Sequence, residues 1–554
     1  MLPPKITAET FQKVLASFRS IVGPEWVFTT DDDLALYRDA YSPLRNQPDE
    51  RVASAAIAPA NVDEVQAIVR VANQWNIPLY PISTGKDLGY GGSAPATSGS
   101  VVLDLKRMNR IIEVDDKNYF ALVEPGVSYF DLYRYIQEKG LKVWVDVPDP
   151  GWGSLIGNAL DRGAGYLMPQ FRNHFDSHCG MEVVLADGSL VRTGMGAMPN
   201  AKTWQQFKAG CGPWVDGIFS QSNFGIVTKM GFWLMPAPEA YLHCEVRAPL
   251  YNDLHALVSE TNYLEDLHVI NGMTSLGSPL LNIFTPGAGT TRDIIFDGAP
   301  TISAEQKKLI ETADVGYSKS LEDYGLRHQI PYWSLGITYY GPPEVVKAHW
   351  EATKRRYSKV IEGASFEEED VILLPLSKQE AENTKRPDEF GIPSLRVFSI
   401  GARSRFSPTP SSGHFFFSPI IPRTGEGIIA ANRVFTEAAK KYNLPFSSVF
   451  NLPFAPFERS FLFTFGFGIS DDPEINAKHL AVLRKFIDIA AENGWGEYRS
   501  PTIIQEQVMK SYSFNDNALM ALHSKIKSAL DPKGIISPGR YAISGNDIFK
   551  RSGN

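Results

Sequence analysis

Ser83-Thr84-Gly85-Lys86-Asp87-Leu88-Gly89-Tyr90-Gly91-Gly92-Ser93-Ala94-Pro95 follows an apolar run at residues 77–82. That run reads as a buried strand. The loop's four glycines let a backbone approach a ligand closely, and successive N–H groups can form a nest for phosphate. The alternative is a plain Gly-rich turn. No glycine stands five residues before Gly85 and Asp87 follows Lys86, so this is not a P-loop. No helix clearly starts on the last glycine, which argues against the Rossmann fingerprint.

Outward from the loop, strand and helix signals alternate over the first 240 residues. Residues 54–59 read as a short strand. Asn61 then caps a helix, with Glu64 completing a capping box and Val62, Val65, Ile68, Val69 and Ala72 on one apolar face. Residues 100–105, 110–114 and 119–124 read as further strands. Ser128 opens a helix that Gly140 ends. Asp187-Gly188 reads as a two-residue hairpin between residues 182–186 and 189–193. The mixture predicts an α+β domain rather than a regular doubly wound sheet. After residues 235–238, longer helices alternate with isolated strands to about residue 490, which predicts a second domain. Pro342-Pro343 precedes a helix over 344–362, Glu368 and Glu369 fall in a charged loop, and residues 405–414 form a polar, Pro-rich loop. The tail is helical over 515–530, then closes in a tight loop.

Composition narrows the function. The 554 residues carry 54 Lys+Arg against 62 Asp+Glu, a net charge of -8, which argues against a general nucleic-acid binder. Aromatics at 12%, with 45 Gly and 38 Pro, suggest many fixed turns and an aromatic-lined cavity. Cys179, Cys211 and Cys244 form no disulfide framework and no CxxC pair. No apolar stretch reaches the length of a membrane span. The start MLPPKIT shows no signal peptide, and the end RSGN is not a peroxisomal tripeptide. The expectation is a soluble, intracellular, cytoplasmic protein.

Three more blocks carry chemistry. In Asp146-Val-Pro-Asp149-Pro-Gly-Trp-Gly-Ser154 a carboxylate sits in a turn before a helix. Asp149 either serves a bound ligand or satisfies turn amides. In Gly494-Trp-Gly-Glu497-Tyr498-Arg499 the Tyr-Arg pair can bind an anion or phenol, or be exposed without a role. His414, in SGHFFFSPI, is a lone histidine among aromatics, ordinarily a satisfied core residue. His174 and His178 are four apart without an evident third ligand, so no metal site is expected. There is no HExxH and no GxSxG elbow.

Together these blocks resemble the vanillyl-alcohol oxidase branch of the flavoproteins that include eugenol oxidase and p-cresol methylhydroxylase. The similarity is collinear over nearly the whole chain: STGKDLGYGGSAP, EPGVSYFDL, DVPDPGWGSLIGN, GMEVVLADG, RTGMGAMP, FSQSNFGIVTKMG, HFFFSPI, NGWGEYR and DPKGIISPG. The resemblance implies a discontinuous FAD-binding domain of residues 1–238 and 491–554, with an α+β cap over 239–490. Backbone amides of Ser83, Thr84, Gly85, Lys86 and Asp87 would cradle the FAD pyrophosphate. Glu124, Pro125, Gly126, Gly157, Asn158, Asn223, Gly225 and Ile226 would line the remaining cofactor path. His414 matches the histidine that bonds covalently to the flavin, and Arg540 the basic residue at the flavin pyrimidine edge.

The resemblance further implies oxidation of para-substituted phenols, 4-hydroxybenzylic alcohols or 4-allyl- and 4-alkylphenols, through a p-quinone methide. Tyr90, Tyr498 and Arg499 match the phenol-binding triplet, and Asp149 the carboxylate beside the flavin. Molecular oxygen would reoxidise the flavin and give peroxide. The alternatives are a dehydrogenase that passes electrons to a cytochrome and a flavin-binding protein without turnover. Three stretches depart from the family pattern. Residues 456–463 replace a Met-His-His stretch. Residues 167–179 run about two residues long and carry an unexpected Arg172. Residues 41–51 offer no counterpart to the histidine that assists flavin attachment. The segment after RTGMGAMP is too short for an octamer-forming loop, so a homodimer contacting mainly through the cap is expected.

Overall fold

The computed structural model of the chain describes residues 1–284, 303–314, 316–395, 413–442, 454–457 and 459–545. Most of the expected polar loop at 405–414, and Glu458 in the departing stretch, lie outside the described residues.

Helix Val62–Trp75 shows local sequence setting local structure. Asn61 Oδ1 accepts from Glu64 N at 3.0 Å, Val65, Ile68, Val69 and Ala72 are buried on one face, and Asn76 closes the helix at φ 55°. The Glu64 carboxylate accepts from Ala60 N at 2.7 Å, so the reciprocal bond falls one residue before the expected capping box. This helix and Ala8–Val22 pack on a four-stranded sheet in the order Val27–Phe28, Ala55–Ile57, Val101–Asp104, Leu79–Ile82, the last three parallel. Val101 and Leu103 enter the core under the helices, while Val102 joins Tyr37, Ala56 and Tyr80 on the other face. Burial on both faces explains why these strands read as continuous apolar runs.

A second, antiparallel sheet orders Ile111–Asp115, Phe120–Val123, Ile226–Trp233, His178–Val184 and Leu190–Arg192. Its last hairpin is not the expected two-residue turn. Leu185 N donates to Ser189 O and Gly188 N to Leu185 O, which leaves a three-residue loop with Gly188 at φ 81°. A type I turn followed by a left-handed glycine absorbs the extra residue. The C-terminal segment returns to this half. Leu79 N donates to Ile535 O at 2.7 Å and Ser537 N to Leu79 O at 2.8 Å. Helix Phe514–Leu530 precedes it, with left-handed Asn515, Asp516 and Asn517 inside its first turn.

The strands between residues 240 and 470 are not isolated. Eight of them form one antiparallel sheet in the order Ser365–Glu368, Ala240–Ala248, Trp333–Gly341, Thr274–Gly277, Phe454–Phe457, Ser460–Phe463, Ile420–Pro422, with Ile372–Leu373 also on Ala240–Ala248. Glu368, expected in a loop, is therefore a strand residue. Leu242, Cys244, Val246 and Ala248 point into the core under helices Asp253–Asp266 and Pro343–Val360, while His243, Glu245 and Arg247 face outward. Strand Gly413–Phe417 pairs with Phe465–Ile469. Its alternation places Phe415 and Phe417 against Phe435, Phe465, Phe467 and Phe486. Among the described residues no helix is long and apolar enough to cross a membrane.

Candidate active site

His414 and Phe416 of that strand line a cavity of about 560 Å³. The period of two explains this: a strand that buries 415 and 417 in the aromatic core must turn 414 and 416 the opposite way. The Gly-rich loop forms the facing wall through residues 83–88 and Tyr90. Tyr90 N and Gly92 N both donate to Asp87 O, at 3.1 and 3.0 Å, and fold the loop on itself. Gly85 stands at φ 66°, and a Cβ there would fall 2.2 Å from Ser93 Oγ. Among the described residues the N–H groups of Thr84, Gly85, Lys86 and Asp87 donate no hydrogen bond. Four adjacent amides beside a cavity can form an anion cradle. At Gly157, across the loop, a Cβ would sit 2.2 Å from Ser83 Oγ. Close approach of Ser83 therefore requires glycine. These features fit the pyrophosphate of a dinucleotide.

Pro125, Gly157, Asn158, Gly225, Ile226 and Arg540 also line the cavity. Glu124, Gly126 and Asn223 do not. Glu124 is buried in an ion pair with Arg110 at 2.6 Å. Gly126 N donates to Met108 O at 2.7 Å, and a Cβ there would meet Lys106 O at 2.3 Å. Asn223 Nδ2 donates to Ser537 O and Ile543 O and ties down the C-terminal segment. Lys86 Nζ lies 5.8 Å from the Trp152 ring centroid.

Tyr90, Tyr498 and Arg499 meet at one place. The Arg499 guanidinium lies 4.1 Å from the centroid of the Tyr90 ring, which stacks on Phe416 at 5.5 Å. Tyr498 lines the same cavity, and the Arg499 charge acts on its hydroxyl against the burial that raises its pKa. Its Nε donates to Asp161 Oδ2 at 2.9 Å, and its Nη2 pairs with Asp87. Arg540 donates to Asp161 Oδ1 at 2.7 Å and to the Tyr80 hydroxyl at 3.0 Å. Burial pushes the Asp87 carboxyl up to about 7 against the opposing pull of Arg499. Burial acts on Asp161 too, but the Arg540 and Arg499 guanidiniums outweigh it and hold that carboxyl below its ordinary value. Asp149 accepts from the Tyr166 hydroxyl at 2.7 Å on another part of the wall.

His414 is 3% exposed, and its buried Nδ1 has no hydrogen-bond partner among the described residues. Burial pushes its pKa down to about 4, so the imidazole is neutral over the physiological range. The Tyr41 ring stands 5.0 Å away, edge to face. A neutral, nucleophilic nitrogen in a cavity wall fits attachment of a cofactor ring.

Sequence reasoning missed Asp161, Tyr166, Glu497 and the side-chain role of Asp87. Asp161 follows a six-residue helix, with its arginine partners 338 and 379 residues away, and no local signal marks it. The Glu497 carboxylate accepts from Ser418 N at 2.9 and 3.0 Å and is fully buried, which pushes its pKa well above the carboxylate range. It is held neutral. A raised folded pKa gives stability that is complete below the unfolded value near 4.5 and is lost as pH rises toward the folded one. Glu497→Gln keeps an acceptor for Ser418 N. It is expected to melt within about 3 °C of the parent at low pH and to flatten this alkaline loss, read from melting temperature against pH. Among the described residues no three His, Cys, Asp or Glu side chains group as a metal site.

Residues 53–194 match the family described as FAD binding domain. The chain is 31% identical to the 4-cresol dehydrogenase (hydroxylating) flavoprotein subunit of Pseudomonas putida, over 99% of both chains. Its structure resembles p-cresol methylhydroxylase with substrate bound, at TM-score 0.80 and 30% identity, covering 99% of this chain and 100% of that one. It also resembles 4-ethylphenol oxidase from Gulosibacter chungangensis in its isoeugenol complex. There the TM-score is 0.78 at 30% identity, covering 98% and 99% of the two chains.

Proposed function

The chain belongs to the vanillyl-alcohol oxidase and p-cresol methylhydroxylase family of FAD-dependent oxidoreductases, and on that premise we propose that it oxidises para-substituted phenols at the carbon attached to the ring. The observation that carries this reading is Arg499, held over Tyr90 and next to Tyr498 in the cavity wall. In this reading residues 1–238 and 491–554 hold FAD, and 239–490 form the cap.

A phenol hydroxyl placed between Tyr90 and Tyr498 faces the guanidinium. A cation in a desolvated site favours the ionised form, so the phenol binds as phenolate and its proton passes to solvent. FAD, when bound, supplies the acceptor for two electrons carried as a hydride. The phenolate pushes that hydride from the para-benzylic carbon, and the remaining substrate is a p-quinone methide. Asp149, fixed by the Tyr166 hydroxyl, takes a proton from a water that adds to the benzylic carbon. Where the para chain permits, the intermediate loses a proton instead and becomes an alkene. The second half-reaction is assigned to oxygen, with peroxide as product, in a homodimer. Transfer to another acceptor is the alternative, and admission of air after anaerobic reduction separates the two.

The test is anaerobic flavin reduction by 4-alkylphenols and by their methyl ethers. The phenols are expected to bleach the flavin and the ethers, which cannot ionise, to leave it oxidised. Equal rates for both would remove the phenolate from the mechanism. Tyr90→Phe and Tyr498→Phe are each expected to slow reduction about a hundredfold, the scale of a lost proton-transfer contact.

A further inference from the structure

Asp87 and Asp161 stand on the cavity wall with Arg499 and Arg540. Arg499 pairs with both carboxylates, and Arg540 pairs with Asp161. Two guanidiniums and two carboxylates form a set whose charges cancel. A phenolate adds one negative charge to that buried set, and an uncompensated buried charge is expensive. The balance returns when one of the two carboxylates takes a proton.

Position selects Asp87. Asp161 is held at both oxygens, by Arg499 at 2.9 Å and Arg540 at 2.7 Å, and its side chain is 6% exposed. Asp87 meets Arg499 through Oδ1, and its side chain is 29% exposed on the cavity wall. A phenol hydroxyl that faces the Arg499 guanidinium therefore has Asp87 as its neighbour on the same cation. Glu497 is already neutral, and Asp149 is bonded to Tyr166 on another part of the wall. Burial raises Asp87 to about 7 with help from the Asp161 charge, against the pull of Arg499 and Arg540. The hydroxyls of Tyr80, Tyr498 and Tyr541, on which its charge acts, are held neutral by burial. Lys86 turns toward the Trp152 ring. From the elements packed on the loop, His414 lies against Gly89 and is neutral, while Asp39 lies against Gly92 and is raised by burial to about 6.

We propose that Asp87 is the group that takes the proton of the phenol, so that the substrate enters neutral and ionises inside the site. The inference rests on the phenol reading above. The O–H bond of the phenol breaks, an O–H bond forms on the Asp87 carboxylate, and the charges still sum to zero. Once the hydride has left, the ligand is neutral and Asp87 gives the proton to solvent. The test uses 4-chlorophenol, which has no benzylic carbon to oxidise. It is titrated into the flavin-loaded full chain by calorimetry in buffers of different ionisation enthalpy, which counts the protons released. The ultraviolet difference spectrum reports whether the bound phenol is a phenolate. The wild type is expected to release about one proton per phenol at pH 6, where Asp87 is already protonated, and about none at pH 8, where it takes the proton itself. Asp87→Asn is expected to release about one at both, and Asp39→Asn to keep the wild-type change.

A bound phenolate with a full proton released by the wild type at pH 8 overturns the proposal and leaves the phenol reading standing. So does an Asp87→Asn variant with normal flavin content that still releases none at pH 8. If that variant does not fold, Asp39→Asn decides: retention of the change between pH 6 and pH 8 supports Asp87, and its loss overturns the assignment. A bound phenol with no phenolate band in the wild type overturns the phenolate reading, and the proposal with it.

Discussion

Arg499→Ala is expected to reduce flavin with 4-alkylphenols about 100- to 1,000-fold more slowly than the parent, and to unfold at a clearly lower temperature. Two effects add. The phenol loses the cation that favours its ionised form, a contribution on the scale of electrostatic stabilisation in other active sites, about 3–4 kcal/mol. The fold loses one of the two guanidiniums on Asp161 and the direct partner of Asp87. Removing one member of a buried pair costs about 3–5 kcal/mol, because the other charge stays behind. The two effects are separable. Asp87→Asn in the Arg499→Ala background removes the stranded carboxylate and should recover part of the melting temperature without recovering the reduction rate. A double variant that regained its rate would show that Arg499 acts on the fold rather than on the phenol.

Flavin is expected to remain with acid-precipitated wild-type protein and to leave His414→Ala completely. The imidazole at this position is neutral because burial holds its pKa near 4, and its Nδ1 is not engaged by any described residue. The nucleophile is the unprotonated ring, so attachment to added FAD should fail as pH falls through about 4. Peptide mapping of the yellow fraction checks the residue. All the flavin in the supernatant of the wild-type protein would refute attachment. Tyr41 and Phe416, rather than a second histidine, are the rings that meet His414. The pH profile of attachment therefore should show a single titration.

The elements of the first half were legible because each is specified by its neighbours in sequence: the Asn61 cap, the apolar stripe from Val65 to Ala72, the Ser128 cap and Gly140 stop. The hairpin at Gly188 was misjudged by one residue because Asp-Gly serves both the two-residue and the three-residue loop. The large sheet was not legible. Strand Ala240–Ala248 finds its partner at Trp333–Gly341, and alternation within one strand says which face is buried but not which strand lies beside it. The candidate site divides the same way. Tyr90, His414 and the Tyr498-Arg499 pair sit in motifs that a resemblance can carry residue by residue. Asp161 does not, because its role exists only where Arg499 and Arg540 converge on it. Arg172 was visible as an unexpected charge, and only the structure places it in the cavity wall.

The convergence on Asp161 also bears on how the protein is made. A ribosome delivers Asp161 early, Arg499 late and Arg540 almost at the end of the 554 residues. The parallel contact of Ile535–Ser537 with Leu79 is equally late. Domains commonly fold in the order of their synthesis. Here the helices and strands of the first 240 residues can form on the nascent chain, yet Asp161 waits for Arg499 and then Arg540 to be made. Loading with a dinucleotide therefore waits for the segment that carries Arg540. A chain that stalls before Arg499 has neither guanidinium to set against Asp161.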